Sequence, residues 1–306
     1  VKLKPESEIV ATLGSKEGFA NIAQAITAPG DIILAPNPTY PIHQFGFIIS
    51  GGVIRNMPAI PDENFLRCLE NEVLNSYPKP KVLVVNYPSN PTALTASIDF
   101  YKDIVFFCKK HDLIILSDLA YSEIYFDANP PPSILQVNGA KSISVEFTSM
   151  SKTYAMPGWR IGFAVGNERI ISALIRVKSY LDYGAFTPIQ VAAAAALNGN
   201  QDCVDEIRQI YKSRRDTLIK SFSSAGWEIP SPTSSMFAWA PIPEKFKKYG
   251  SVEFSKILLK KTKVAVSPGI GFGSEGEGFL RIALVENEHR IRQAARNIKK
   301  NLFNDI

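Results

Sequence analysis

Lys152 follows two hydroxyl residues, Ser149 and Ser151, with Thr153 directly after it and Arg160 eight positions on. A lysine amine can hold a carbonyl-bearing cofactor as a Schiff base, while serines and an arginine hold that cofactor's phosphate. The alternative is a solvated lysine beside an ordinary loop. The flanks argue against it: Ile143, Val145 and Phe147 precede the lysine, and Ile161, Phe163 and Val165 follow. That alternation predicts two buried strands joined by a short link, where a solvated lysine would gain little.

Other residues offer complementary chemistry. Residues 9–13 read as a strand that turns at Gly14-Ser15-Lys16-Glu17-Gly18 into a helix with the apolar stripe Phe19, Ile22, Ala23, Ile26. A helix N-terminus after such a turn presents free amides to a phosphate. Ser15 serves either that purpose or plain N-capping. Residues 32–35 form the next expected strand and run into Pro36-Asn37-Pro38-Thr39-Tyr40-Pro41. Prolines around Tyr40 stiffen the loop, so its ring either stacks on a planar ligand or packs locally. Residues 82–85 lead to Asn90-Pro91-Thr92, and residues 113–116 lead directly to Asp118. A carboxylate at a buried strand end needs a cationic or hydrogen-bonding partner, unless it caps a helix. Arg281 sits in the apolar run 279–284, where either an anion or a structural salt bridge would relieve it.

The elements must bring these residues together. Strands alternating with helices, including one expected at 99–111 and a further strand at 53–57, indicate a parallel α/β sheet covered on both faces. Ligands bind such sheets beyond the carboxyl ends of the strands. Ser15, Tyr40, Asn90, Asp118 and Lys152 all fall on that edge, and this convergence is stronger than any one of them. Beyond Phe163 the pattern turns helical. Residues 168–180 are amphipathic, 188–197 are alanine-rich and suited to close packing, and 204–224 form a long helix joining two bodies. A small α+β domain follows, with strands at 236–240 and 264–266 and helices at 251–261 and 287–302. The expected division is a large domain at 1–198, a connecting helix at 199–225 and a small domain at 226–306. Gly271-x-Gly273-x-x-Gly276 has the spacing of a dinucleotide fingerprint, but an expected strand rather than a helix follows it. A flexible glycine loop near the active site is the better reading.

Composition narrows the classes. The 306 residues are 45% hydrophobic, enough for a large core. Lys and Arg total 34 against 29 Asp and Glu, scattered and without any nucleic-acid-binding signature. Three cysteines without a C-x-x-C fit a reducing cytoplasm and no thiolate metal site. The three histidines lack metal-ligand spacing. No run approaches ~18 apolar residues, so no membrane span is expected. The first residues carry no apolar core of a secretory signal.

Ser149-x-Ser151-Lys152 with Arg160, Asn90-Pro91-Thr92, Asp118-x-x-Tyr121 and Arg281 together resemble the class I/II aminotransferases of fold type I, which depend on pyridoxal phosphate. The resemblance covers essentially the whole chain and is greatest for the bacterial glutamate–pyruvate (alanine) branch, which the LL-diaminopimelate aminotransferases also approach. It implies a mostly parallel seven-stranded sheet, a smaller C-terminal α+β domain and a cytoplasmic homodimer acting on an amino acid and a 2-oxo acid by ping-pong. It also implies roles. Lys152 would bond the cofactor and shuttle the Cα proton, and Asp118 would pair with the pyridine nitrogen. Tyr121 and Asn90 would bond the ring oxygen, and Tyr40 would stack on the ring. Ser15, Lys16, Ser149 and Arg160 would hold the phosphate, and Arg281 the substrate carboxylate.

Ala93 follows Asn90-Pro91-Thr92 where many members have glycine, a feature of the alanine-type branch. Residues 180–183 offer no arginine for an aspartate side chain. The resemblance further implies an N-terminal arm and the first part of the small domain ahead of Val1, expected to lie outside these residues. The alternatives are an aspartate or LL-diaminopimelate aminotransferase, a C–S lyase of the same fold, and a non-catalytic remnant that only binds the cofactor.

Overall fold

The computed structural model describes residues 1–126 and 129–303; residue 306, the expected end of the small domain, lies outside them. Strands and helices alternate as expected through the first half of the chain: β1 (Ile9–Thr12), α1 (Ser15–Ile26), β2 (Ile32–Asn37), α2 (Ile42–Ile49), β3 (Val53–Pro58), α3 (Glu63–Asn75), β4 (Val82–Asn86), α4 (Ile98–Lys110), β5 (Ile114–Asp118), β6 (Ser144–Ser149), α5 (Met150–Thr153) and β7 (Gly162–Gly166). These strands form one seven-stranded sheet in the order β1-β7-β6-β5-β4-β2-β3.

The sheet is mostly rather than wholly parallel. β7 pairs antiparallel with both β6 and β1, so it alone runs against the other six. The link from β6 to β7 explains this. It holds only α5 and a single turn at Pro157–Trp159, with no crossover helix to carry the chain back to the far edge.

Alternate residues of the central strands face opposite layers. Ile33, Ala35, Val82 and Val84 pack with Phe19 and Ile22 of α1 and Phe47 of α2. Ile32, Leu34, Leu83 and Val85 pack with Phe65 and Leu69 of α3 and Ile104 and Cys108 of α4. Burial on both faces makes these strands continuous apolar runs. Each large side chain so buried contributes about 1.5–3 kcal/mol.

After the sheet come α6 (Glu168–Leu181), α7 (Thr187–Asn198) and α8 (Asp202–Ser224). The alanine-rich α7 packs on one side only: Ala193 is buried with Met150, Ile161 and Ala185, and Ile189 and Ala196 lie against them, while Val191 is 63% exposed. α8 carries Leu218 and Phe222 into a second core, shared with β8 (Phe237–Pro241), α9 (Gly250–Thr262), β10 (Phe279–Ala283) and α10 (Glu288–Ile298). A three-stranded antiparallel sheet lies here, in the order β8-β10-β9, with β9 at Ser267–Pro268.

The strand expected at 264–266 is therefore displaced. Lys263 ends α9 in the left-handed conformation (φ 60), and pairing with β10 begins only at Ser267, opposite Arg281. Val264 and Val266 instead pack against the second core. Among the described residues, no helix is long and apolar enough to cross a membrane.

Glu146 lies within β6 and is 3% exposed. Its carboxyl accepts from Ser133 Oγ (2.6 Å), Ile134 N (3.1 Å) and Ser117 Oγ (3.2 Å). Burial nevertheless pushes its pKa up to about 6 from 4.5. A carboxyl raised in the fold contributes stability that is present below pH 4.5 and lost as pH rises through about 6. Glu146→Gln is therefore expected to gain on the order of 2 kcal/mol over the wild type as pH rises across that window. Urea midpoints measured across the range check this, and parallel curves for the two proteins would contradict it.

Candidate active site

The ten residues singled out in the sequence line one cavity of about 260 Å³: Ser15, Lys16, Tyr40, Asn90, Asp118, Tyr121, Ser149, Lys152, Arg160 and Arg281. Five strands of the large sheet bring the first eight there. β1 opens into Ser15 and Lys16, β2 into Tyr40, β4 into Asn90, β5 into Asp118 and Tyr121, and β6 into Ser149 and Lys152. Arg160 precedes the reversed β7, and Arg281 comes from β10 of the smaller sheet.

Asp118 is 5% exposed and heads no helix, so the capping alternative fails. Its Oδ1 accepts from the Ala120 amide (3.1 Å), and its Oδ2 lies 2.9 Å from His43 Nε2. His43 is fully buried, and its Nδ1 is 2.8 Å from Thr39 Oγ1. Asn86 fixes the backbone, donating to the Asp118 carbonyl (2.9 Å) and accepting from the Asn90 amide (2.9 Å).

Lys152 is half-buried on the first turn after β6, its Nζ 6.0 Å from the centre of the Tyr121 ring. Burial lowers its pKa, and the charges of Arg160 and Arg281 lower it further. The amine is thereby pushed towards the neutral, nucleophilic form. Burial raises Tyr40 and Tyr121, and the charge of Asp118 adds to both shifts, so both stay protonated phenols at neutral pH.

At the other end of the cavity, α1 begins without a side-chain cap. Gly14, not Ser15, is its N-cap (φ 85), and Ser15 is the first helical residue. The capping alternative for Ser15 is thus set aside, and the first-turn amides remain available to a ligand. A Cβ on Gly14 would run into the Arg160 guanidinium, so glycine is what lets that arginine approach. Arg160 adopts the left-handed conformation (φ 54) and donates to Pro157 O (2.9 Å) and Leu13 O (3.1 Å). Ser149 Oγ accepts from the Ser151 amide (3.2 Å), which leaves its own proton free to donate.

Arg281 has no carboxylate partner among the described residues, so the structural salt bridge is not its explanation. Its Nη1 donates to Asn90 Oδ1 (2.8 Å) and its Nη2 to Ser267 Oγ (3.3 Å). The guanidinium carbon lies 4.2 Å from the Phe237 ring centre and 4.5 Å from that of Phe272. Its Nε is buried and has no partner among the described residues. Lys152, Lys16, Arg160 and Arg281 thus share one cavity with the single carboxylate of Asp118, a field that favours anionic ligands.

The family described as aminotransferase class I and II matches residues 1–298. This chain belongs to the class I and II aminotransferases. It is 68% identical over 300 residues to AatC of Rhizobium meliloti, covering 98% of this chain and 74% of that protein. It is 50% identical over 299 residues to the glutamate-pyruvate aminotransferase AlaC of Escherichia coli, covering 98% and 73%. Among solved structures, apo-BacF from Bacillus subtilis superposes with a TM-score of 0.92 at 35% identity, over 98% of this chain and 80% of that one. The aminotransferase assignment and the fold expected from the sequence therefore hold.

Sequence reasoning missed several residues of this aminotransferase's cavity. His43 is the most consequential. Its signal was its place three residues after Tyr40 and just past Pro41, which puts it on the first turn of a helix, near Tyr40. The two rings meet edge to face, with centres 5.9 Å apart. Ala120, Pro157 and Phe237 also line the cavity, and Asn86 braces it. The glycine loop expected at 271–276 near the active site is tied to the end of β2. Its Phe272 carbonyl accepts from the Thr39 amide (2.8 Å), and Glu275 N donates to Asn37 Oδ1 (3.2 Å).

His43→Ala would leave the buried Asp118 carboxylate with one donor fewer. The expected loss is about 1–3 kcal/mol of stability. A denaturant midpoint equal to the wild type's would show that Asp118 is held without the imidazole.

Proposed function

We propose that this aminotransferase works with pyridoxal phosphate and moves an amino group between L-alanine or L-glutamate and pyruvate or 2-oxoglutarate, in two half-reactions of a ping-pong sequence. Lys152 carries this reading: a half-buried amine of lowered pKa, in one cavity with Asp118 and Arg281. The half-identity to a glutamate-pyruvate aminotransferase supports the substrate pair.

The donor set suits a phosphorylated pyridine with a carbonyl. The uncapped first turn of α1, Ser149 and Arg160 offer donors for a phosphate. Asp118 offers an acceptor for a protonated ring nitrogen, and His43 supports that carboxylate from behind. Tyr40 would cover one face of the ring, and the phenol of Tyr121 with Asn90 would hydrogen-bond its oxygen. Bound there, the cofactor supplies an electron sink for the pair left when the substrate Cα–H bond breaks. Lys152 takes that proton and returns it to the other reacting carbon. Arg281 holds the substrate carboxylate through a two-pronged hydrogen bond.

The division at 1–198, 199–225 and 226–306 is proposed on the same footing, with α8 as the connection. A second copy of the chain is the proposed partner. Tyr180, Tyr183 and Phe186 are 81%, 108% and 70% exposed, an apolar patch that a homodimer would cover. The three cysteines are free, which supports a cytoplasmic setting.

Purified protein given L-alanine and 2-oxoglutarate should yield pyruvate and glutamate. Ammonia release without transfer would overturn the reaction in favour of a lyase. Lys152→Ala should cut turnover by a factor of at least about 10²–10⁴, the worth of a positioned general base. Turnover at the wild-type rate would refute the assignment of the lysine.

Arg160→Ala should weaken pyridoxal phosphate binding by about 1.5–3 kcal/mol, or roughly ten- to a hundredfold. Titration of the apoprotein followed by fluorescence reads this directly. Unchanged affinity would remove Arg160 from the phosphate site.

A further inference from the structure

Among the described residues no acid helps to orient Arg281. Two neutral hydrogen bonds and two ring faces define the plane of its guanidinium. Phe237, one of the rings, is fixed within β8, which pairs directly with the strand of Arg281. Phe272, the other, lies outside both sheets on the glycine loop; Trp239 of β8 meets its ring edge to face, with centres 6.1 Å apart, and something else must hold its backbone.

The end of β2 does so. Thr39 N donates to the Phe272 carbonyl (2.8 Å). The side chain of Asn37 grips the next residues of the loop: its Nδ2 donates to Ser274 Oγ (2.9 Å), and its Oδ1 accepts from the Glu275 amide (3.2 Å). Asn37 is 5% exposed, so these bonds form out of water. Gly273 has φ 129, and a Cβ there would run into Asn37 Oδ1. The loop is also closed on itself, because a Cβ on Gly269 would strike the Gly276 carbonyl. Phe272 therefore has little freedom relative to β2 while Asn37 is in place.

We propose that Asn37 is a positioning residue for substrate carboxylate capture, acting through Phe272 on the orientation of Arg281. This rests on the reading of Arg281 as the carboxylate clamp. The strand end that presents the Tyr40 ring to the cavity thereby also fixes, three residues earlier, one wall of the carboxylate site. A bidentate bond demands a guanidinium held in plane with the incoming carboxylate, so a loosened ring weakens capture without touching the reacting carbon.

Every amino acid and oxo acid substrate carries that carboxylate. Asn37→Ala should accordingly raise KM for both L-alanine and 2-oxoglutarate about tenfold, the worth of a charge-assisted hydrogen bond, while kcat stays within about twofold. Calorimetry with propionate, a carboxylate that cannot transaminate, should show the same weakening, and the cofactor absorbance spectrum should not change. Phe272→Ala should reproduce the effect, and adding Asn37→Ala to it should change nothing more, because both act through one ring. Ser274→Ala removes a single arm of the grip and should give a smaller shift in the same direction, a check available if Asn37→Ala folds poorly.

Arg281→Ala is the control. If it leaves KM and propionate binding unchanged, the clamp reading falls and this inference falls with it. If it weakens both while Asn37→Ala and Ser274→Ala do not, the clamp stands and the role of Asn37 alone is overturned. Effects of Asn37→Ala and Phe272→Ala that multiply would also overturn it.

Discussion

Asp118 puts a carboxylate where water barely reaches, and much of the site is built around meeting that charge. An unpartnered carboxylate there would abandon its charge or destabilise the fold. One oxygen is met by the Ala120 amide and the other by His43, itself anchored on Thr39. This requires α2 to begin immediately after Tyr40-Pro41, so that its first turn points the imidazole under β5. The aromatic ring of Tyr40 and the partner of Asp118 thus come from one turn of chain. Neither can shift without moving the other, which couples the face of the proposed ring site to the group at its nitrogen end.

The fold was legible where burial is two-sided. Residues 82–85 and 113–116 are unbroken apolar runs because helices cover both faces of β4 and β5. The edge on which ligands bind followed from the alternation of strands and helices, and ten residues from separate segments meet there. What the sequence concealed depends on long-range register. Residues 264–266 are apolar and strand-like in isolation, yet pairing with β10 begins at Ser267, after a left-handed residue closes α9. The exposed side of α7 was equally hidden, since an alanine-rich helix looks the same whether its partner lies in the same chain or elsewhere. His43 escaped because a lone histidine carries no pattern of its own. Only the Asp118 carboxylate, 75 positions away in sequence, gives it a task.

The reversed direction of β7 has a chemical consequence. Because β6 and β7 form a hairpin, Ser149, Lys152 and Arg160 leave and re-enter the sheet at the same edge. A parallel crossover would have carried Arg160 to the far edge. Instead its guanidinium sits against Gly14 at the start of α1, adding a full positive charge to the partial charge of the helix end. That same charge bears on Lys152, whose pKa it helps to lower. The corner that attracts an anion therefore also shifts the neighbouring amine towards its neutral form. These two demands are met by one arginine.

Arg281 follows a different logic from Asp118. A carboxylate partner would have satisfied it more fully than the amide oxygen of Asn90 and the hydroxyl of Ser267 do. Such a partner would also have competed with any incoming carboxylate, so substrate binding would merely exchange one ion pair for another. Neutral partners and ring faces orient the guanidinium while leaving its charge uncompensated. Burial then disfavours the bare cation, which lowers its pKa and makes an arriving anion more welcome than it would be in water. On the proposed reading of Arg281 as the carboxylate clamp, the protein bears the cost of that arrangement before substrate arrives. Binding relieves it, and the relief is available only to a ligand that brings a negative charge to that wall of the cavity.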